Sequence, residues 1–157
     1  MKILGIDPGY GRLGYAVLEK NKSEENLIDY SCVETSPKQK HEERILKIAE
    51  KVEEMIKKHK PDILCLEKLF ITKNQKTAMA VAEVRGILIF LGTKNGIKIQ
   101  EYTPLQVKAA VCGNGKASKD QVEKMVKLLI KIRRPVKYDD TYDAIALCLT
   151  ASATIKI

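Results

Sequence analysis

The sequence has few of the residues that bind zinc or form disulfide bonds. Its two histidines are His41 and His59, and neither has a cysteine or histidine partner at the spacing of a zinc site. The four cysteines are far apart and form no Cys-x-x-Cys pair. Because three of them lie inside apolar segments, we expect reduced, structural thiols. A zinc protein and a disulfide-stabilised secreted domain are both disfavoured.

Long apolar segments are also lacking. No run of about 18 uncharged apolar residues is present, so the sequence predicts no membrane span. Asp7 follows only a few apolar residues, which is too short for the apolar region of a signal peptide. We therefore expect a cytoplasmic protein. Since no repeat, low-complexity tract or linker divides the chain, we expect residues 1–157 to form one domain.

Acidic residues are fewer than basic ones. Lysine and arginine number 28 against 20 aspartates and glutamates, which gives a net charge of +8. A charge of this sign favours binding to polyanions such as nucleic acids and makes that binding sensitive to salt. A lysine-rich solvated surface would have the same composition, so the charge alone does not decide between the two.

Apolar periodicity predicts an α/β fold. Residues 2–6 have the pattern of a buried strand, and two further strands complete an antiparallel meander. The amphipathic segment 41–60 predicts a helix between this meander and a fourth strand at 63–67, and a helical crossover favours parallel pairing of the first and fourth strands. The remaining predicted elements are helix 77–91 ending at Gly92, strand 97–102, a short helix from Thr103-Pro104 to Gly113, and helices at about 118–132 and 140–153.

Four acidic residues lie at the ends of these apolar segments. Asp7 ends the first strand and Glu67 the fourth, while Asp140 and Asp143 share one face at the start of the last helix. Each has an ordinary explanation when taken alone, such as a helix cap for Asp140 or the surface end of a strand for Glu67. If the four converge, their natural partner is a hard divalent cation such as Mg²⁺. On a basic chain, this combination suggests a metal-dependent enzyme that acts on nucleic acid.

The order of these elements and acids resembles the ribonuclease H-like fold, a five-stranded mixed sheet flanked by helices. More narrowly, the chain resembles the RuvC family of Holliday-junction resolvases over essentially its whole length. The resemblance rests on the order and spacing of six segments: Gly5-Ile6-Asp7-Pro8-Gly9 with Gly14, Glu67-Lys68-Leu69-Phe70, Glu83-Val84-Arg85-Gly86, residues 102–108, residues 113–119, and Asp140-Thr141-Tyr142-Asp143-Ala144.

The resemblance implies a structure-specific endonuclease that resolves four-way DNA junctions by paired symmetric nicks. Asp7, Glu67, Asp140 and Asp143 would form the catalytic cluster and hold two Mg²⁺ ions, with Mn²⁺ as a substitute. Two such ions activate water and stabilise the leaving oxygen. Because Asp139 adjoins Asp140, the ligand assignment could shift by one residue, although the spacing from residue 140 to residue 143 favours Asp140.

The resemblance also implies DNA contacts and partners. Lys108 and Lys119 would contact the scissile-strand phosphates, and Phe70 would stack on bases unstacked at the junction centre. Lys76 and Arg85 would extend the DNA-facing surface. The family implies a homodimer in which helix 77–91 forms the interface, and a branch-migration motor complex as a further partner.

Three other functions remain as alternatives. A sugar-kinase or actin-like ATPase domain also opens with an apolar strand, an aspartate and glycines, but needs a second domain to close over ATP. A ribonuclease H-like nuclease could act on RNA or flaps instead of junctions, which Phe70 and the segment 113–119 argue against. A non-catalytic junction-binding module is disfavoured, because all four acids are present.

Overall fold

The structure is a computed structural model that describes residues 1–68 and 75–155, with the backbone alone for residues 75–77. A mixed five-stranded sheet forms its centre, in the order β3-β2-β1-β4-β5. This architecture confirms the predicted α/β fold. The strands are β1 (Lys2–Asp7), β2 (Arg12–Lys20), β3 (Glu25–Glu34), β4 (Ile63–Glu67) and β5 (Lys98–Tyr102).

Five helices flank the sheet: α1 (His41–His59), α2 (Gln75–Lys94), α3 (Pro104–Cys112), α4 (Lys119–Leu129) and α5 (Asp139–Thr154). The prediction that α2 ends at Gly92 is wrong. Gly92 is buried where a side chain would meet Ile99 of β5, and the helix continues to Lys94 before the turn at Gly96. Among the described residues, no helix is long and apolar enough to cross a membrane.

The central strand β1 has neighbours of both orientations. It pairs antiparallel with β2, where Asp7 is level with Gly14, and parallel with β4, where Ile6 is level with Leu66. Helix α1 connects β3 to β4, and the parallel pairing of β1 with β4 agrees with the prediction from the sequence. Because β1 and β4 run in the same direction, their carboxyl ends lie side by side at one edge of the sheet.

Alternating side chains of the strands build a core on each face of the sheet. In β1, Ile3 packs with the apolar residues of α5, whereas Leu4 packs with those of α1 and α2. Helix α5 has ten buried residues and lies across the middle of the sheet, against β1 and β2. Its first turn is thereby brought to the edge where β1 and β4 end.

Two reciprocal caps fix the starts of the helices beside α5. Thr103 Oγ1 accepts a hydrogen bond from the Gln106 amide at 3.1 Å, and Gln106 Oε1 accepts one from the Thr103 amide at 2.8 Å. Ser118 and Gln121 repeat the arrangement at the start of α4. Such caps satisfy amides that the first turn leaves unpaired. They hold the two helices that carry Lys108 and Lys119.

Candidate active site

Two of the predicted acids lie at the carboxyl edge of the sheet. Asp7 is the last residue of β1 and Glu67 the last residue of β4, and the residues before them are direct neighbours in the parallel pair. In open α/β sheets, ligands bind outside the carboxyl ends of parallel strands. The parallel pairing that the sequence predicted for these strands therefore brings the two carboxylates to the same edge.

Helix α5 supplies the other acids, and two glycines allow it to approach the strands closely. A Cβ at Gly14 would lie 1.9 Å from the Asp140 carbonyl oxygen, and one at Gly5 would lie 2.5 Å from the Ala144 carbonyl oxygen. Neither distance leaves room for a side chain. The absence of a Cβ at these two positions thus sets the height of Asp140 and Asp143 above β1 and β2.

Three of the four acids line one cavity of about 260 Å³. Asp7, Glu67 and Asp143 face it together with the two predicted lysines, Lys108 and Lys119. Asp140 lies outside this lining, on the side of α5 that faces Arg12. The remaining walls are apolar, from Pro104, Val107, Val122 and Leu147.

Burial, together with the crowding of carboxylates at this edge, perturbs the protonation of the acids. Burial, followed by repulsion from Asp143, Glu67 and Asp140, raises the pKa of Asp7 to about 8, while attraction to Lys119 acts in the opposite direction. Burial and the Asp143 charge also raise the pKa of Glu67. Such mutual repulsion is the expected state of clustered acids without a cation. Without a cation, the raised pKa therefore favours the protonated form of the Asp7 carboxyl near neutral pH.

The carboxylates on α5 are held by two basic side chains. Lys119 Nζ lies 2.7 Å from Asp139 Oδ2 and 3.0 Å from Asp143 Oδ2. Arg12 Nε lies 3.2 Å from Asp140 Oδ2, and its Nη2 lies 3.7 Å from Asp139 Oδ1. The Asp140 oxygen is buried without a well-directed hydrogen bond, because the Arg12 contact is an ion pair of poor angle. We call these five residues the Asp139 network.

The chemistry of this donor set fits a hard divalent cation. All four candidate ligands are carboxylates, which Mg²⁺ and Mn²⁺ prefer to nitrogen or sulfur donors. A cation beside Asp7 would also relieve the repulsion that raises its pKa. Within residues 1–68 and 75–155, no three acidic, histidine or cysteine side chains already stand in the geometry of a bound ion.

Several predicted residues do not lie at the cavity. Arg85 forms an ion pair with Glu101 of β5, and the cavity lining does not include it. Phe70 and the side chain of Lys76 lie outside the described residues. The interpretation of Asp140 as a helix cap is not supported, because the N-cap residue of α5 is Tyr138 and no side chain caps that helix.

Sequence reasoning missed Arg12 and the part that Asp139 plays. Arg12 is the first residue of β2, where nothing in the local sequence distinguishes it from any other exposed arginine. Its place beside Asp140 follows from the pairing of β2 with β1 and the seating of α5 on Gly14. Asp139 was considered only as an alternative ligand, and the structure places it between two cations instead.

The sheet order, the helix across its centre and the acids at one edge define the ribonuclease H-like class of α/β fold. A family model described as crossover junction endodeoxyribonuclease RuvC matches residues 3–151. The chain therefore belongs to the RuvC family.

Curated relatives agree with this assignment. The crossover junction endodeoxyribonuclease RuvC of Petrotoga mobilis is 47% identical, over 93% of this chain and 90% of the relative. That of Brachyspira hyodysenteriae is 42% identical, over 100% of this chain and 97% of the relative. The similarity thus extends across nearly the full length of both proteins.

Solved structures agree as well. T. thermophilus RuvC in complex with Holliday junction substrate has a TM-score of 0.89 at 29% identity, covering 97% of this chain and 93% of that one. The fowlpox virus Holliday junction resolvase has a TM-score of 0.63 at 17% identity, covering 99% of this chain and 100% of that one, and shares the fold alone.

Proposed function

We propose that this protein is an endonuclease that resolves four-way DNA junctions by paired symmetric nicks, using divalent metal ions at the acidic edge of its sheet. The observation that carries the proposal is the cavity where Asp7, Glu67 and Asp143 meet Lys108 and Lys119. It combines ligands for hard cations with cations for a phosphate backbone, in a chain that belongs to the RuvC family.

Asp7, Glu67, Asp140 and Asp143 are the proposed catalytic and metal-holding residues. Two Mg²⁺ ions, with Mn²⁺ as a substitute, would supply charge neutralisation at the scissile phosphate and an activated water for its hydrolysis. Asp7 is the proposed shared ligand, because it is the acid whose pKa the other three together raise. It must lose its proton before it can act as a ligand.

The basic residues of the cavity are proposed to bind the DNA backbone. Lys108 lies on α3 and lines the same cavity as the acids. Lys119 is the first residue of α4, and its ammonium contacts Asp143. Each is placed to hold a phosphate beside the carboxylates, which orients the scissile bond in the cavity. Phe70, Lys76 and Arg85 remain proposed DNA contacts from the family resemblance.

A homodimer is the proposed assembly, with α2 at its interface. The exposed face of this helix carries Met79 and Phe90, which are 67% and 61% exposed. Gly86 lies between them in a position where an added Cβ would touch nothing within 4 Å. A twofold dimer would cover this apolar face and present two cavities to a junction of near-twofold symmetry. A branch-migration motor complex is a further proposed partner.

Cleavage of a synthetic four-way junction in Mg²⁺ tests the proposal, beside a linear duplex and an RNA–DNA hybrid. The expected result is a pair of symmetric nicks in the junction alone, abolished in Asp7→Asn while junction binding persists. Cleavage of the RNA–DNA hybrid or of flapped DNA instead would support the nuclease activity but contradict the four-way junction as the substrate. Tight junction binding without cleavage by the wild-type protein would instead indicate a non-catalytic binding module.

A further inference from the structure

The Asp139 network places two basic side chains on the oxygens that a metal ion would need. Lys119 Nζ lies 3.0 Å from Asp143 Oδ2, and Arg12 Nε lies 3.2 Å from Asp140 Oδ2. Both aspartates are proposed metal ligands. Each therefore has a basic side chain in direct contact with it.

Asp139 is the anchor that the two cations share. Its Oδ2 contacts Lys119 at 2.7 Å and its Oδ1 faces Arg12 at 3.7 Å. It precedes Asp140 in the first turn of α5 but does not line the cavity. The anchor thus holds both cations beside the two aspartates.

These contacts are open enough to be exchanged. The side chains of Lys119 and Arg12 are 58% and 45% exposed, so water and salt screen their ion pairs. Lys119 also lines the cavity in which the scissile phosphate is proposed to sit. A DNA phosphate can replace the carboxylates as the partner of the ammonium, because both offer charged oxygen acceptors.

We infer that Lys119 is a placeholder counter-ion, which occupies an Asp143 oxygen until a DNA phosphate draws it away and leaves that oxygen to a divalent cation, while Arg12 competes with the metal for Asp140. The inference rests on the proposed metal-dependent nuclease function and adds that DNA binding regulates metal binding. It makes metal and junction binding mutually reinforcing, since coupling between two ligands is reciprocal. The acidic site would then bind divalent cations weakly in the free protein and more tightly once a junction is bound.

Metal binding to the DNA-free, full-length protein tests the inference without relying on activity. Free Mn²⁺ is counted by electron paramagnetic resonance during titration of wild type, Lys119→Gln, Arg12→Gln and Lys127→Gln. Lys127 is the matched control, because it lies on the same helix and its ammonium binds Glu123 on α4 instead of an acid of the cavity. Thermal melts establish that each variant is folded.

The expected result is an Mn²⁺ affinity for Lys119→Gln that is on the order of 10-fold higher than for wild type. Arg12→Gln should show a smaller gain, and Lys127→Gln should match wild type. Equal affinities for wild type and Lys119→Gln would overturn the inference, because Lys119 would then not compete with the metal. A gain in Lys127→Gln as large as in Lys119→Gln would also overturn it, since net charge alone would explain the effect.

A second titration separates this inference from the proposed function. Calcium affinity is measured by calorimetry with and without the four-way junction, and gels establish that the junction stays intact. Wild type is expected to gain several-fold more from the junction than Lys119→Gln does. An identical increase in calcium affinity in the two proteins would overturn the placeholder inference and leave the proposed nuclease function intact. No metal binding by wild type in either condition would instead overturn the metal-dependent nuclease.

Discussion

Two aspartates of this protein are partly buried at the sheet, and their surroundings are opposite. Asp29 on the edge strand β3 is contacted by Lys58 at 3.2 Å, His59 at 3.0 Å and Arg134 at 3.1 Å. Within the described ranges, no basic side chain forms an ion pair with Asp7. The Asp29 carboxylate is surrounded by donors, whereas Asp7 lies among three further carboxylates whose repulsion, with burial, outweighs the attraction of Lys119.

The protonation of the two aspartates follows from these surroundings. Burial acts to raise the pKa of Asp29, but hydrogen bonds from Lys58, Arg134 and His59 outweigh it and hold the pKa below the ordinary value. For Asp7, burial and three neighbouring acids act in the same direction and raise the pKa to about 8. The fold thus satisfies the charge of Asp29, whereas it leaves the charge of Asp7 to a ligand.

The largest expected effect is on cleavage, from exchanging each aspartate for asparagine. Asp7→Asn should reduce the junction cleavage rate by on the order of 10³-fold or more, because it removes a proposed metal ligand and charge at the reacting centre. Asp29→Asn should leave the rate within about threefold of wild type, since its partners lie away from the cavity. Single-turnover rates on one labelled junction measure both, and a comparable loss in the two variants would contradict the contrast.

The pH dependence of cleavage sharpens the same contrast. Metal must displace the proton that Asp7 holds below a pKa of about 8. At limiting Mg²⁺, the single-turnover rate should therefore rise by up to about tenfold per pH unit toward pH 8 and then level off. Saturating Mg²⁺ should move this rise to lower pH. A flat profile at limiting Mg²⁺ would show that Asp7 is already ionised.

A methyl group at Gly14 should push the first turn of α5, with its acids, away from the sheet. The added Cβ would lie 1.9 Å from the Asp140 carbonyl oxygen, so α5 must move away from β2. We expect Gly14→Ala to lower the free energy of unfolding by about 1–3 kcal/mol and to reduce cleavage further than this loss explains. Chemical denaturation measures the first effect and junction cleavage the second.

Gly11→Ala is the control for Gly14→Ala. Gly11 lies just before β2, three residues from Gly14, and a Cβ there would meet only Arg44 Nη2, at an ordinary contact distance of 3.9 Å. Stability and cleavage close to wild type are expected for this variant. If Gly14→Ala behaved in the same way, the close seating of α5 on β2 would not be what positions Asp140.

The smallest expected effect is on stability, and it has opposite signs for the two aspartates. Asp29→Asn should lower the free energy of unfolding by about 1–2 kcal/mol at pH 7, because Lys58 and Arg134 lose a charged acceptor. That contribution is present above the ordinary aspartate pKa and is lost as the pH falls through the lowered pKa of Asp29.

Asp7→Asn should instead stabilise the metal-free protein. Because the pKa of Asp7 is raised in the native state, that state binds more protons than the unfolded chain between about pH 4 and pH 8. Wild-type stability should therefore fall as the pH rises through this window, and the variant should lack that fall. Melts at pH 5 and pH 8 without metal measure it, and we expect Asp7→Asn to melt at a higher temperature than wild type at pH 8, with a smaller difference at pH 5.

Much of the fold could be predicted from the sequence because its signals are local. Apolar periodicity located β1, β4 and α1 to within a residue or two, and the crossover rule gave the parallel pairing of β1 and β4. The end of α2 was misplaced, because Gly92 has the sequence pattern of a helix end but packs against Ile99. Tertiary contacts decided that boundary.

The acids of the site were predictable as a set, but their partners were not. Asp7 and Glu67 end strands whose pairing the sequence implies, so their convergence follows from register. The contacts of Arg12 and Asp139 depend on where the first turn of α5 meets β2, which no local pattern specifies. The sequence therefore predicted that acids gather at this edge of the sheet, and the structure was needed to see which of them already have basic partners.

The difference between Asp7 and Asp29 can be measured directly by following their carboxyl carbons by nuclear magnetic resonance during a pH titration. Without metal, Asp7 should titrate near pH 8 and Asp29 below the ordinary aspartate value of 3.8. Adding Mg²⁺ should lower the pKa of Asp7 and leave that of Asp29 unchanged. If the Asp7 carboxyl titrates near pH 4 with or without Mg²⁺, the claim that the fold leaves this charge without a partner for a metal ion to bind is contradicted.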